Sequence, residues 1–243
     1  EVIRLAGYDR IPEEITMPLA LAHVMPEVAA ARVIRRTLVG LGYHECITDA
    51  FVPEEWGKAF APDKVAYTIR NPINAKRPVM RSALVPSLLE VRKTNRLAQD
   101  VRLFELVRIY SKEGGKPVEP NRLAILDDRG VEFARGALEA VAKALTLAGE
   151  VTVEPSAVPG ATPDSAGGVR RGGKDFAVVG ECSREQAEKF DLTLRPAMVE
   201  ACVDFLAAAE KTGRSYRPLP RFPGVRRDIS LSLPEAVRWS EVE

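Results

Sequence analysis

The clearest periodicity in the chain has a period of two. Over residues 101–110, Val101, Leu103, Glu105, Val107 and Ile109 share one face, while Arg102, Phe104, Leu106, Arg108 and Tyr110 share the other, which predicts a strand. A second alternation sets Val225, Arg227, Ile229, Leu231 and Leu233 against Arg226, Asp228, Ser230 and Ser232, and predicts a strand with one polar face. Helical spacing is clearest over 26–42. Pro26 takes a first-turn position, Ala30, Ile34, Leu38 and Leu41 recur on one stripe, Arg32, Arg35 and Arg36 fill the other face, and Gly40 and Gly42 supply the stop. Weaker patterns predict strands at 44–52, 65–69, 123–126, 175–180 and 198–205. They also predict helices at 54–60, 86–98, 133–147 and 207–211, with Ser183-x-x-Gln186 opening another. Residues 155–173, punctuated by Pro155, Pro159, Pro163 and several glycines, read as a loop or a pair of short edge strands.

These elements mix without regular βαβ alternation, which predicts an α+β domain around an antiparallel sheet. The opening stretch reads as a helix end stopped at Gly7, and residues 13–25 read as a linker. The expected division is 1–20, the end of a preceding helical domain; 21–215, the core; and 216–243, the start of another domain beyond Pro218 and Pro220. Ser240 and Glu243 form a capping box with no helix after it, so the chain is expected to be a piece of a longer polypeptide.

Composition narrows the chemistry. Apolar residues make up 46% and charged residues 28%, as in ordinary globular domains, and 35 basic against 34 acidic side chains leave a net charge of +1. No long-range field therefore advertises a nucleic acid or an anionic membrane. Cys46, Cys182 and Cys202 show no C-x-x-C spacing, which excludes a disulfide framework and a thiolate zinc site and fits a reducing compartment. With His23 and His44 as the two histidines, a histidine-rich metal site is excluded too. His44 beside Glu45 reads as a structural residue, with a proton shuttle as the alternative. Gly168-x-x-x-x-Gly173-Lys174 imitates a phosphate loop, but Asp175 stands where Ser or Thr would hold magnesium and a strand pattern follows where a helix is needed, so a hairpin turn is expected. Glu105, on the apolar face of its strand, must be paired. Arg81 or a neighbouring arginine is the expected partner, and a nucleotide-facing role is the alternative. The run Arg70-Asn71-Pro72-Ile73-Asn74-Ala75-Lys76-Arg77-Pro78-Val79-Met80-Arg81 reads equally as an ordered loop or as a holder of a phosphate-rich ligand.

Several phrases together resemble the β subunit of bacterial phenylalanyl-tRNA synthetase. They are the opening EVIRLAGYDRIP, then Gly42-Tyr43-His44-Glu45-Cys46-Ile47-Thr48, Asn71-Pro72-Ile73-Asn74, Val79 to Glu90 (VMRSALVPSLLE), Asn95, Arg102-Leu103-Phe104-Glu105-Leu106, Phe133 to Glu139 (FARGALE), and Phe222-Pro223-Gly224-Val225-Arg226-Arg227-Asp228-Ile229. They run in family order across nearly the whole chain.

The resemblance implies a class II aminoacyl-tRNA synthetase-like antiparallel β-sheet flanked by helices, catalytically inactive in this subunit. It implies as partner the catalytic α subunit, in an α2β2 heterotetramer that charges tRNA(Phe) with ATP and Mg2+ in the cytoplasm; this chain itself would hold no cofactor. The helix over 26–42 would be the interface helix, with Arg32, Ile34, Arg35 and Leu38 facing the α subunit or a second β subunit. Asn71, Arg81 and Glu105 would be structural counterparts of the second class II signature, and Phe222, Arg226, Arg227 and Asp228 the entry to a ferredoxin-like anticodon-binding domain. Of the magnesium site in the preceding helical domain, Glu1 alone would remain. The third class II signature, a glycine-rich strand and helix with an ATP-binding arginine, is missing from 178–190. Thr162-Pro163-Asp164 and Cys182-Ser183 stand where the family usually has His-Pro-Gly and His-Pro. The reading from a different class is an autonomous ATP-dependent ligase for a small carboxylic acid, with Arg81 and Glu105 at the nucleotide.

Overall fold

A computed structural model describes residues 1–12, 24–209, 212, 222–234, 237 and 242. The chain divides into two units, Glu1–Thr212 and Gly213–Glu243. In the first, helix α1 (Val2–Ala6) and a 3-10 turn (Tyr8–Arg10) precede helix α2 (Pro26–Gly40). Two-residue strands β1 (His44–Glu45) and β2 (Phe51–Val52), helix α3 (Glu54–Phe60), strand β3 (Val79–Met80) and helix α4 (Val85–Thr94) follow. Strand β4 (Arg102–Arg108), the hairpin β5 (Ser111–Glu113) and β6 (Lys116–Val118), and strand β7 (Asn121–Asp127) lead to helix α5 (Val131–Ala144). Strands β8 (Val151–Pro155), β9 (Ala161–Arg171) and β10 (Lys174–Cys182), helix α6 (Arg184–Lys189), strand β11 (Ala197–Cys202) and helix α7 (Val203–Ala208) complete it.

Seven strands form one sheet in the order β1-β4-β7-β11-β10-β9-β8. Every pair is antiparallel except β1–β4, so the expected antiparallel sheet carries one parallel edge. Phe104, Ile125, Val199 and Val179 project from one face onto Ala30, Ile34 and Leu38 of α2, Ala137, Leu138 and Val141 of α5, and Leu206 of α7. Leu103, Leu126 and Met198 project from the other face onto Leu88 and Leu89 of α4 and Ala187 of α6. Side chains alternate across a strand, so a sheet covered on both sides needs apolar residues at successive positions, as in Leu123-Ala124-Ile125-Leu126 of β7.

Four expectations are corrected. Ile34 and Leu38 do not face another chain: both are 0% exposed within the core beneath α2. Their stripe is the helix's inward face, and the outward one carries Arg32, Arg36 and Val39. Residues 155–173, read as a loop or a pair of short edge strands, instead contain β9, which at eleven residues is the longest strand and lies inside the sheet between β10 and β8. Gly167 answers close approach rather than turning: a Cβ there would lie 2.7 Å from the Glu154 carbonyl oxygen of β8. Pro163 falls where the β9–β10 ladder is interrupted between Ala161 and Ala166, so no ladder bond is lost to it. The strands expected at 44–52 and 65–69 shrink to β1 and β2 and to isolated bridges at Val65 and Thr68.

The last correction concerns the second unit. Residues 222–234 carry no strand, and Phe222, Arg226, Arg227 and Asp228 are exposed there, Arg226 Nε standing 4.0 Å from Asp228 Oδ1. Alternation specifies which face a strand would bury, but a strand needs a partner for its backbone, and none is present among the described residues. Residues 13–23 of the linker expected over 13–25, the boundary prolines Pro218 and Pro220, and Ser240 lie outside the described residues.

Half of the expected capping box forms: the Ser183 hydroxyl oxygen accepts from the Gln186 amide at 3.3 Å, while the Ser183 amide donates to the Gly160 carbonyl at 2.9 Å rather than to the Gln186 side chain. Ser183→Ala is expected to cost about 1 kcal/mol in a chemical denaturation curve, because the first turn of α6 loses its cap.

Candidate functional site

Register across the sheet places polar residues at the centre of the face shared with α4. Glu105 of β4 pairs with Ala124 of β7, which pairs with Glu200 of β11; one row further, Val107, Arg122 and Cys202 stand abreast. Thus Glu105, Glu200 and Arg122 point the same way, from a surface that is otherwise apolar.

The first cluster is a closed ion pair. Arg81 is 2% exposed and Glu105 1%, with Arg81 Nη1 at 3.2 Å from Glu105 Oε1. Arg81 also donates from Nε to the Arg108 carbonyl at 3.0 Å and from Nη1 to Thr48 Oγ1 at 3.1 Å. Glu105 accepts from the Thr48 amide at 2.9 Å and from its hydroxyl at 2.8 Å. The Arg81 amide donates to the Ala50 carbonyl at 2.9 Å, and the Arg81 carbonyl accepts from the Tyr110 amide at 2.9 Å. The pair thus ties the 46–50 segment to β3 and to the end of β4, and offers nothing outward for a nucleotide. Asn71 is exposed and is not brought to this pair.

The cations of the 70–81 loop are equally committed or equally remote. Arg77 Nη2 donates to both oxygens of Glu90 at 2.7 and 2.8 Å, and its guanidinium lies 5.7 Å from the Trp56 ring. Arg70 and Lys76 are exposed. His44 is exposed, while Glu45 is held by Arg35 Nε at 2.7 Å, so no proton relay is assembled there. The imitation phosphate loop is a hairpin: Gly172 and Gly173, with φ of 54° and 76°, turn β9 into β10. Glu1 is exposed and paired with Arg4 Nη2 at 2.7 Å. Among the described residues no three His, Cys, Asp or Glu side chains converge as metal ligands.

Two buried clusters escaped the sequence reading. Arg92 Nε reaches both oxygens of Asp128 at 3.0 Å, while its other nitrogens donate to the Asn95 and Ala98 carbonyls at 2.8 and 3.2 Å, closing the end of α4. Asp127 accepts from the Tyr43 hydroxyl, and from the Arg129 amide, Nε and Nη2 at 2.9, 2.9 and 2.7 Å. No local signal links Tyr43 to Asp127, 84 residues away. Burial opposes ionisation of Asp127, yet the hydrogen bonds from Arg129 and Tyr43 leave its carboxyl below the usual aspartate range. Burial, with the same hydrogen bond, raises Tyr43. A carboxyl that holds its proton less tightly when folded contributes stability above about pH 4, and loses it as pH falls through the folded value. Asp127→Asn is therefore expected to flatten the acid limb of a stability–pH curve, and an unchanged limb would contradict this assignment.

Beside the Arg81 pair, a cavity of about 440 Å3 opens on the same face, lined in part by Lys64, Val85, Arg122, Val158 and Glu200. Glu200 Oε2 accepts from the Leu84 amide at 2.9 Å, at the start of α4, and Lys64 Nζ donates to the Ser82 carbonyl at 3.1 Å. A second cleft lies between the outward side of α2 and the β4 edge, lined by Met25, Val28, Arg32, Arg35 and Tyr110 among others. Of the four expected interface residues, Arg32 and Arg35 therefore line an open surface, and Ile34 and Leu38 do not.

Residues 14–203 match the model of the family described as phenylalanyl tRNA synthetase beta chain CLM domain. The phenylalanine–tRNA ligase beta subunit of Neisseria meningitidis is 29% identical over 256 residues, covering 100% of this chain and 32% of that protein. Its counterpart in Dehalococcoides mccartyi is 32% identical over 265 residues, with the same two coverages. The chain thus spans about a third of the length of these relatives. Among solved structures, a pyrrolysyl tRNA synthetase from Desulfitobacterium hafniense superposes with a TM-score of 0.58 at 16% identity, covering 74% of this chain and 64% of that one; the likeness is one of fold.

Proposed function

This chain belongs to the phenylalanyl-tRNA synthetase β-chain CLM-domain family, and from that premise we propose that it is the non-catalytic core of a phenylalanine–tRNA ligase β subunit. In this reading it scaffolds a catalytic α subunit within an α2β2 assembly in the cytoplasm, and ATP and Mg2+ are handled by the assembly rather than by this chain. The observation that carries it is the family match, which runs from residue 14 to residue 203 and so spans the seven-stranded sheet. The buried pair supports the inactive part of the reading. The ligase alternative needs Arg81 and Glu105 at a nucleotide, and both are consumed by the chain's own backbone and Thr48. Transition-state stabilisation in adenylate formation needs preorganised donors aimed at developing charge, and these donors are aimed elsewhere.

Two measurements test it. The chain alone is expected to support phenylalanine-dependent pyrophosphate exchange at the level of a buffer blank; exchange above the blank overturns the reading. The chain is expected to co-purify with a phenylalanyl-tRNA synthetase α subunit through the outward side of α2. Arg35 is a poor probe, since it holds Glu45. Arg32, exposed and lining the second cleft, is the cleaner one. Arg32→Glu is expected to weaken association by about tenfold or more with the melting temperature unchanged; unaltered association would remove α2 from the interface.

A further inference from the structure

We propose that the cavity beside Glu200 is a binding site for a small organic anion, whose carboxylate or phosphate is held by Arg122 and Lys64 and whose apolar body lies in the space lined by Val85 and Val158. The observation behind this is an unused guanidinium. Arg122 lies on the central strand β7 and is not exposed; its side chain makes no hydrogen bond or ion pair among the described residues, and its Nε is buried without a partner. A folded chain seldom leaves such a donor unspent, and a group of this kind calls for a partner from outside the chain: an ordered water, an ion or a ligand. Two other arginines near this face behave differently: Arg92 donates from all three guanidinium nitrogens, and Arg81 from Nε and Nη1.

The charge balance points the same way. Of the three carboxylates that line the cavity with Lys64 and Arg122, Glu200 alone is not exposed, and it already accepts from the Leu84 amide. Asp63 and Asp175 also line the cavity but are exposed, and Asp175 is paired with Arg170 Nε at 3.0 Å. Burial lowers the Lys64 ammonium from its usual value; Glu200 and Glu113 work against this, and the neighbouring Arg122 adds to it. An anion between the two cations would relieve both. A cavity of about 440 Å3 is too large for a bare ion and falls in the range of small-ligand sites, about 300–1,000 Å3, which are mostly apolar with a few directed polar groups. A planar guanidinium beside an ammonium suits a carboxylate or phosphate head.

The proposal is independent of the subunit reading, because it concerns one face of this chain and needs no partner. The test is calorimetric titration of the chain with 3-phenylpropionate and phenyl phosphate, with 3-phenylpropan-1-ol as the uncharged control and inorganic phosphate as the bare ion. At least one aromatic anion is expected to bind about tenfold more tightly than both controls. Carboxylate preference or phosphate preference then identifies the head group. Arg122→Gln is expected to reduce that affinity by about tenfold or more without lowering the melting temperature, since the side chain has no bond to lose. Val178→Trp, at a half-exposed β10 position lining the same cavity, is expected to block the aromatic anions while leaving Arg122 in place. Absence of binding by both aromatic anions, equal binding of the alcohol or of inorganic phosphate, or unchanged affinity in both variants would overturn the proposal.

Discussion

Glu105→Gln is expected to lower stability by about 3–5 kcal/mol, the range seen when one member of a buried ion pair is removed. The neutral amide leaves the Arg81 guanidinium charged in a site that is 2% exposed, with no other carboxylate at bonding distance among the described residues. It also turns one of the two oxygens that accept from the Thr48 hydroxyl into a donor. Denaturant unfolding measures the effect, and a loss below about 1 kcal/mol would mean that solvent or relaxation screens the pair. The double variant Arg81→Met, Glu105→Leu is expected to recover much of the loss, because an apolar replacement of both partners leaves no charge to solvate. Such non-additivity would show that the cost lies in the unpaired charge rather than in altered packing.

Leu38→Asp is expected to cost more than about 4 kcal/mol or to prevent folding, since it puts a carboxylate without a partner beneath α2. Val39→Asp, one residue on, is expected to cost less than about 1 kcal/mol, chiefly from a negative charge near the C-terminal end of the helix. The difference rests on exposure: Leu38 is fully buried and Val39 is 58% exposed. Comparable losses at the two positions would mean that the inward and outward faces of α2 are misassigned. If Leu38→Asp folded normally, Leu38 would have to face outward, as the first reading of the stripe supposed.

That misreading shows how far periodicity reaches. The spacing of Ala30, Ile34 and Leu38 correctly marks a helix with one apolar stripe, and α2 spans Pro26–Gly40. Periodicity states that a stripe must be covered and is silent on what covers it. Here the cover is the chain's own sheet together with α5 and α7, with Phe104, Ile125, Leu138 and Leu206 in the same buried cluster. Glu105 was legible for a related reason: a carboxylate in phase with Leu103 and Val107 demands a partner wherever its strand sits. Arg122 was not. It directly follows Asn121 in a strand read only from Leu123 onward, and nothing local says that its guanidinium lacks a partner, which depends on β4, β11 and residue 64 being brought beside it.

The sequence by itself determined the family, because phrases such as VMRSALVPSLLE and RLFELV carry identity that no packing argument supplies, and the match over 14–203 covers the same stretch. It also determined the positions of α2, β4 and α6, each of which has a strong local signal: a helical stripe, an alternation, a capping box. Only the tertiary structure decided that 161–171 is a strand, since its glycines and Pro163 read as breakers until β8 and β10 lie against them. Likewise, only the tertiary structure could show that the alternation over 225–233 forms no strand among the described residues, because a strand is defined by a partner and alternation supplies only a face. Local patterns record the environment each residue would prefer. Pairing, burial and the isolation of a single arginine are relations between segments far apart in the chain, and they exist only once the sheet has formed.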